Sequence, residues 1–86
     1  MTANEIEIEY CVPCGYLPAA EETAHALLSA YGQRLGGLRL KPGHGGVFRV
    51  SVDGTRVFDN GEEGYDVEAI VGRVEGRLAP EPSLRS

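Results

Sequence analysis

The sequence predicts an α/β chain of the two-layer α+β kind, with its elements in the order β-α-β-β-β-α. Three observations lead there. Glu5-Ile6-Glu7-Ile8-Glu9-Tyr10 alternates strictly between acidic and apolar residues, as a strand covered on one face does. Leu17, Ala20, Ala24, Leu27, Leu28 and Tyr31 recur at three- and four-residue steps, which places one apolar stripe on a helix. Asp53-Gly54 separates two short β-prone runs and is a strong two-residue hairpin signal. A right-handed crossover makes the first two strands parallel neighbours. The hairpin then adds two antiparallel strands, most simply in the sheet order 2-1-3-4. The first strand is central in that order, yet carries three glutamates on one side. A strand covered on both faces would be apolar on both, so both helices are expected on the same face.

Taken in order, the first helix is expected from Tyr16 or Pro18 to Tyr31. Pro18 suits a first helical turn and Gly32 a helix end. Leu38-Arg39-Leu40-Lys41 reads as the second strand, and Pro42-Gly43-His44-Gly45-Gly46 as a breaker-rich loop. Val47 to Val52 and Thr55 to Asp59 are the hairpin strands. Regular pairing sets Val52 opposite Thr55, Val50 opposite Val57 and Arg49 opposite Phe58. Phe48, Val50, Val52 and Val57 then face the helices. Val47, Arg49 and Phe58 fall on the open face, where an exposed Phe58 and Val47 would be either ordinary scattered exposure or a docking patch for a partner or for weak self-association. On that face Arg39 and Lys41 flank the glutamates from one side and Arg49 from the other. Asn60 to Gly64 is a polar, acidic loop. Asp66 caps a second helix with the stripe Val67, Ile70, Val71, Val74 and Leu78. Gly72 and Gly76 each cost that helix about 1 kcal/mol relative to alanine, and read as weakness rather than close packing. Residues 1–79 form one domain, and 80–86, with Pro80 and Pro82, a flexible tail.

The totals exclude several classes of function. Eighty-six residues with 42% hydrophobic content fit one globular domain with a modest core. Thirteen acidic side chains against eight basic ones give a formal charge of −5, which argues against nucleic acid or an anionic membrane as a partner. No apolar run is long enough to span a membrane, and Met1 to Glu9 is too polar for a secretory signal. A soluble cytoplasmic protein is the expectation.

Both cysteines, Cys11 and Cys14, lie in "YCVPCGYLPAAEE", where the strand gives way to the helix. A helix N-terminus offers unpaired N–H groups and partial positive charge, which stabilise a thiolate, the species that attacks a disulfide. The two-residue spacer lets the second sulfur resolve the mixed disulfide. Pro13 stiffens the spacer, while Glu21 and Glu22 oppose activation if they fall in the first turns. Other readings stay open on the residues alone. The pair could be a structural disulfide, inert thiols, or half of a zinc site completed by His25 and His44, although that spacing matches no compact zinc pattern.

"IEYCVPCGYL", a helix, then "LKPGHGGVFRVSVDGTRVFD" resembles the Rdx family of selenoprotein W-like proteins, across roughly Ile6 to Leu78. The resemblance implies a thioredoxin-like fold and a thiol–disulfide oxidoreductase acting in cell redox homeostasis, with Cys11 and Cys14 as the redox pair. Family members with selenocysteine carry it at the position of Cys14, which implies that Cys14 attacks and Cys11 resolves. The implied electron partner is glutathione or a thioredoxin-type protein, with no bound cofactor or metal. Thioredoxins place a cis-proline opposite their pair; the matching place here is Gly45-Gly46, with Pro42 too early. The competing expectation is a non-catalytic, redox-responsive adaptor on the same fold.

Overall fold

Strand β1 (Glu5–Cys11) runs through the middle of a four-stranded sheet in the computed structural model, which describes residues 4–78. Helix α1 (Leu17–Tyr31) and a 3-10 turn (Gly32–Arg34) lead to β2 (Gly37–Gly43). The hairpin β3 (Phe48–Val52) and β4 (Thr55–Asp59) follows, then helix α2 (Val67–Glu75). The sheet order is β2-β1-β3-β4, with β1 parallel to β2 and antiparallel to β3. This is the predicted order and the predicted two-layer α+β fold. The expected tail over 80–86 lies outside the described residues.

The alternation in β1 does what its period dictates. Ile6, Ile8 and Tyr10 are buried, and share one core with Leu27 of α1 and with Ile70 and Val74 of α2. Both helices therefore cover the same face. On the other face, Arg49 Nη1 stands 3.7 Å from Glu9 Oε1 and Lys41 Nζ 3.8 Å from Glu7 Oε2. Pairs this exposed contribute about 0–1 kcal/mol each, so the packed face and not the charged one holds the sheet together.

The hairpin departs from the predicted register. Val52 pairs with Thr55 as expected, across a turn whose Asp53 and Gly54 both have positive φ, 51° and 84°. Further along, Ser51 pairs with Arg56 but Val50 pairs with Phe58, so Val57 is an extra residue on β4. This bulge corrects the expected facing of Phe58, which is buried in the core and not on the open face. The reason is chemical. Regular alternation would turn Val57 and Asp59 inward together and leave Phe58 in water. The extra residue lets Phe58 face Val50 while Asp59 turns out beside Arg49, whose Nε lies 3.6 Å from Asp59 Oδ2. Val57 still packs against the core, and its carbonyl accepts a hydrogen bond from Arg73 at 3.3 Å. Edge strands commonly carry such bulges. The open-face docking patch built on Phe58 and Val47 is therefore not formed.

Helix α1 also rolls relative to its predicted stripe. Ala20, Thr23 and Leu27 are buried, whereas Leu17 and Leu28 are 42% and 49% exposed. Thr23 can be buried because its hydroxyl donates to the Ala19 carbonyl at 2.8 Å and lies 2.9 Å from the Tyr65 hydroxyl. In α2 the cap is as predicted, with Asp66 Oδ1 accepting from the backbone N–H of Glu68 and Ala69. Among the described residues no helix is long and apolar enough to cross a membrane.

Candidate functional site

β1 delivers Cys11 to the end of the sheet, and the chain turns sharply through Val12-Pro13-Cys14-Gly15 before α1 begins. Gly15 N–H donates to the Val12 carbonyl and Tyr16 N–H to the Cys11 carbonyl, which closes the turn. Gly15 has φ of +78°, a conformation that residues with a side chain seldom adopt. The turn brings the two sulfurs together, and Cys11 and Cys14 are joined as a disulfide. Their surroundings differ. Cys11 is fully buried, at 0% exposure, whereas Cys14 is exposed. Tyr16 caps α1 without a side-chain hydrogen bond, and no acidic residue lies in the first turn. Glu21 and Glu22 sit farther along and are exposed, so the positive end of the helix adjoins Cys14 without a carboxylate in that turn to offset it.

A second layer of contacts fixes the buried cysteine. Cys11 N–H donates to the Val47 carbonyl at 2.9 Å, and Val12 N–H to the Gly43 carbonyl at 3.1 Å. The glycine-rich loop between β2 and β3 is thus strapped to the disulfide turn at both of its ends. Gly43 leaves little room there, since a Cβ would come within 3.2 Å of Glu9 Cγ and 3.3 Å of Val47 Cγ2 and both side chains would have to shift. Asn60 holds the other side of the same loop. Its Oδ1 accepts from Phe48 N–H at 2.9 Å, and its Nδ2 donates to the Gly46 carbonyl at 2.8 Å. The sequence places Asn60 in a polar loop, and nothing local signals this role, since both partners lie at least a dozen residues away in the chain.

Beside the turn, Tyr16, Ala19, Phe48, Asn60, Gly64 and Tyr65 wall a cleft of about 310 Å³. Phe48 meets Tyr16 and Tyr65 edge-on, with ring centroids 6.4 and 5.4 Å apart. The Tyr65 hydroxyl reaches Thr23 and, at 3.1 Å, Glu22 Oε1. Burial, with the nearby carboxylates of Glu22 and Asp66, pushes the Tyr65 phenol above its usual range. On the outer wall, Arg73 grips Glu63 through both carboxylate oxygens, Nη2 to Oε1 at 2.7 Å, which holds Glu63 below the usual carboxylate range. His25 is exposed on α1 and His44 is exposed at the tip of the glycine loop. Among the described residues, no group of three or more side chains is arranged to hold a metal ion.

Comparison with known proteins places this geometry. The chain matches the Rdx family over residues 5–76, an interval that takes in both cysteines, the glycine loop and Asn60. It belongs to the Rdx family. A solved structure of a protein from Bordetella parapertussis is 36% identical, covers 88% of this chain and 99% of its own, and superposes with a TM-score of 0.83. The fold is also that of a selenoprotein W-related protein from Vibrio cholerae, 24% identical over 86% of this chain and 95% of its own, with a TM-score of 0.81. No match is found among curated proteins. A Cys-x-x-Cys pair in a chain of the Rdx family points to a redox-related role.

Proposed function

We propose that this Rdx chain is a small cytoplasmic thiol–disulfide oxidoreductase in which Cys14 is the attacking thiol and Cys11 the resolving one. The observation that carries the reading is the asymmetry of the pair: Cys14 is exposed at a helix N-terminus, and Cys11 is buried at the end of the central strand. Only the outer cysteine is exposed to another molecule, and it lies just ahead of the positive end of α1 in the chain. In the reducing direction, the Cys14 thiolate attacks one sulfur of a partner disulfide. The partner S–S bond breaks, its second sulfur leaves as a thiolate, and a Cys14–partner disulfide forms. Cys11, once deprotonated, attacks Cys14 Sγ, restoring the Cys11–Cys14 disulfide and releasing the other partner sulfur as a thiolate. Two thiols, from glutathione or a thioredoxin-type dithiol, then return the pair to the reduced state and are themselves oxidised to a disulfide.

Alkylation of the two single-cysteine variants tests the assignment. Cys14 in the Cys11→Ser variant is expected to react with iodoacetamide about tenfold faster at neutral pH than Cys11 in the Cys14→Ser variant. The wild-type disulfide is expected to open and close reversibly across a glutathione redox series. A faster Cys11 overturns the role order. Thiols that stay free under oxidising glutathione buffers overturn the redox reading and leave the adaptor.

A further inference from the structure

Among the described residues, three of the four large apolar side chains left exposed, Val12, Leu17 and Tyr65, lie on or are tied to the segment that runs from the Cys14 turn into the start of α1. Val12 lies inside the redox turn and Leu17 opens α1. Tyr65 is tied to α1 one turn later, through Thr23 and the Ala19 carbonyl. Tyr65 lines the aromatic cleft together with Phe48 and Tyr16, and Tyr16 follows Cys14 by two residues in the chain. Scattered apolar exposure is ordinary, but apolar exposure gathered on the segment that carries Cys14 and beside a cleft is the form of a protein-docking surface.

The charges around the cleft narrow what fits. Its lining includes no lysine, arginine or histidine among the described residues. Glu22 stands at its Tyr65 rim with one carboxylate oxygen 3.1 Å from the phenol, and Asp66 follows Tyr65 in the chain. The cation on the outer wall, Arg73, is committed to Glu63 and to the Val57 carbonyl. An anionic ligand would meet carboxylates with no free cation at the wall to receive it, whereas a lysine or arginine would be attracted both to Glu22 and to the ring faces.

Resting on the redox reading above, we infer that the disulfide-bearing partner is a protein segment with an apolar side chain for the cleft and a basic residue beside its cysteine, in preference to glutathione disulfide, which is anionic at neutral pH. The exchange is the one already written: the partner cysteine is released from its own disulfide and becomes bonded to Cys14, then leaves as a thiolate when Cys11 attacks.

The test uses the Cys11→Ser chain and follows release of thionitrobenzoate from mixed disulfides of acetyl-Leu-Cys-Lys-amide, acetyl-Leu-Cys-Glu-amide, acetyl-Gly-Cys-Lys-amide and glutathione. The Leu–Lys peptide is expected to react about tenfold faster than the Leu–Glu peptide and glutathione at low salt, with the gap narrowing in high salt. It should also outpace the Gly–Lys peptide. Glu22→Gln is expected to remove most of the preference for the Leu–Lys over the Leu–Glu peptide. Equal rates for all four probes, or a Lys-over-Glu preference unchanged in Glu22→Gln, overturn the docking proposal while the redox reading stands. If Cys14 reacts with none of the probes, the redox reading falls, and binding of acetyl-Lys-Leu-Ser-Lys-amide to the wild-type chain decides the docking surface. Amide shifts at Tyr16, Gly64 and Tyr65, absent with a glutamate analogue of that peptide, support it; shifts elsewhere or none at all overturn it.

Discussion

Phe58 sits at 2% exposure with its ring edge-on to Phe48, the centroids 6.2 Å apart. Truncating a buried phenylalanine removes its transfer free energy and leaves a cavity, so Phe58→Ala should lower unfolding free energy by about 3–5 kcal/mol. Urea denaturation with the disulfide kept oxidised measures this; a loss below 1 kcal/mol would place the ring on the surface. The fate of this residue shows what sequence reading can reach. Period-2 alternation is local, and from Thr55 to Asp59 it sends Phe58 outward. A bulge is set by which apolar groups the helices have room to cover, and that is decided only when α2 packs on β4. The cysteines divide in the same way. Their spacing, and the strand-to-helix switch around them, are legible in thirteen consecutive residues. The depth of Cys11 depends on its being the last residue of a central strand, with β2 and β3 on either side. Asn60 was not legible at all, because its value lies in two backbone groups across a loop.

Among the elements, α2 is the one whose own sequence works against it. It spans nine residues, far fewer than an isolated helix needs to be stable, and carries Gly72 inside. A Cβ built on Gly72 meets no atom within 4 Å, so the glycine makes room for nothing, in line with the weak-helix expectation. Gly72→Ala should therefore stabilise the chain by about 0.5–1 kcal/mol, read as a higher urea midpoint with an unchanged slope. Destabilisation would mean that the position serves close packing after all. Besides its local Asp66 cap, what holds α2 in place is tertiary: Ile70 and Val74 in the core, and the Tyr31 hydroxyl donating to the Val71 carbonyl at 2.6 Å. The two helices also show why order and stripe differ in legibility. The apolar period of each helix survives any rotation about its axis. The buried face of α1 does not, since a hydroxyl partner on Tyr65 made Thr23 as buriable as a leucine and freed Leu28 to turn outward.

At the scale of the whole molecule, the acidic excess sets how the fold meets acid. Glu63 and Asp59 both have carboxyls held below their ordinary values, 4.5 and 3.8, Glu63 chiefly by the Arg73 guanidinium and Asp59 chiefly by the Gly61 backbone N–H. A carboxylate whose pKa is lowered in the folded state stabilises that state at every pH above its unfolded value. The stabilisation is lost as pH falls through the lowered folded value, because below it both states are protonated. These groups lie at the surface, so each effect is screened and small. Their placement matters more than their size: the Glu63–Arg73 clamp spans from the 60–65 loop to α2 and supports one wall of the cleft. Glu63→Gln should therefore lower the melting temperature at pH 7 by roughly 1–3 °C, with a smaller loss in high salt. The difference from wild type should shrink as pH falls below about 4.5 and through the lowered folded value of Glu63, and vanish once the wild-type carboxyl is itself neutral. Melting both proteins across that range, with the disulfide oxidised throughout, gives the answer. A gap that stays constant as pH falls through the carboxylate range would show that the variant disturbs packing, and that the clamp does not act through its charge.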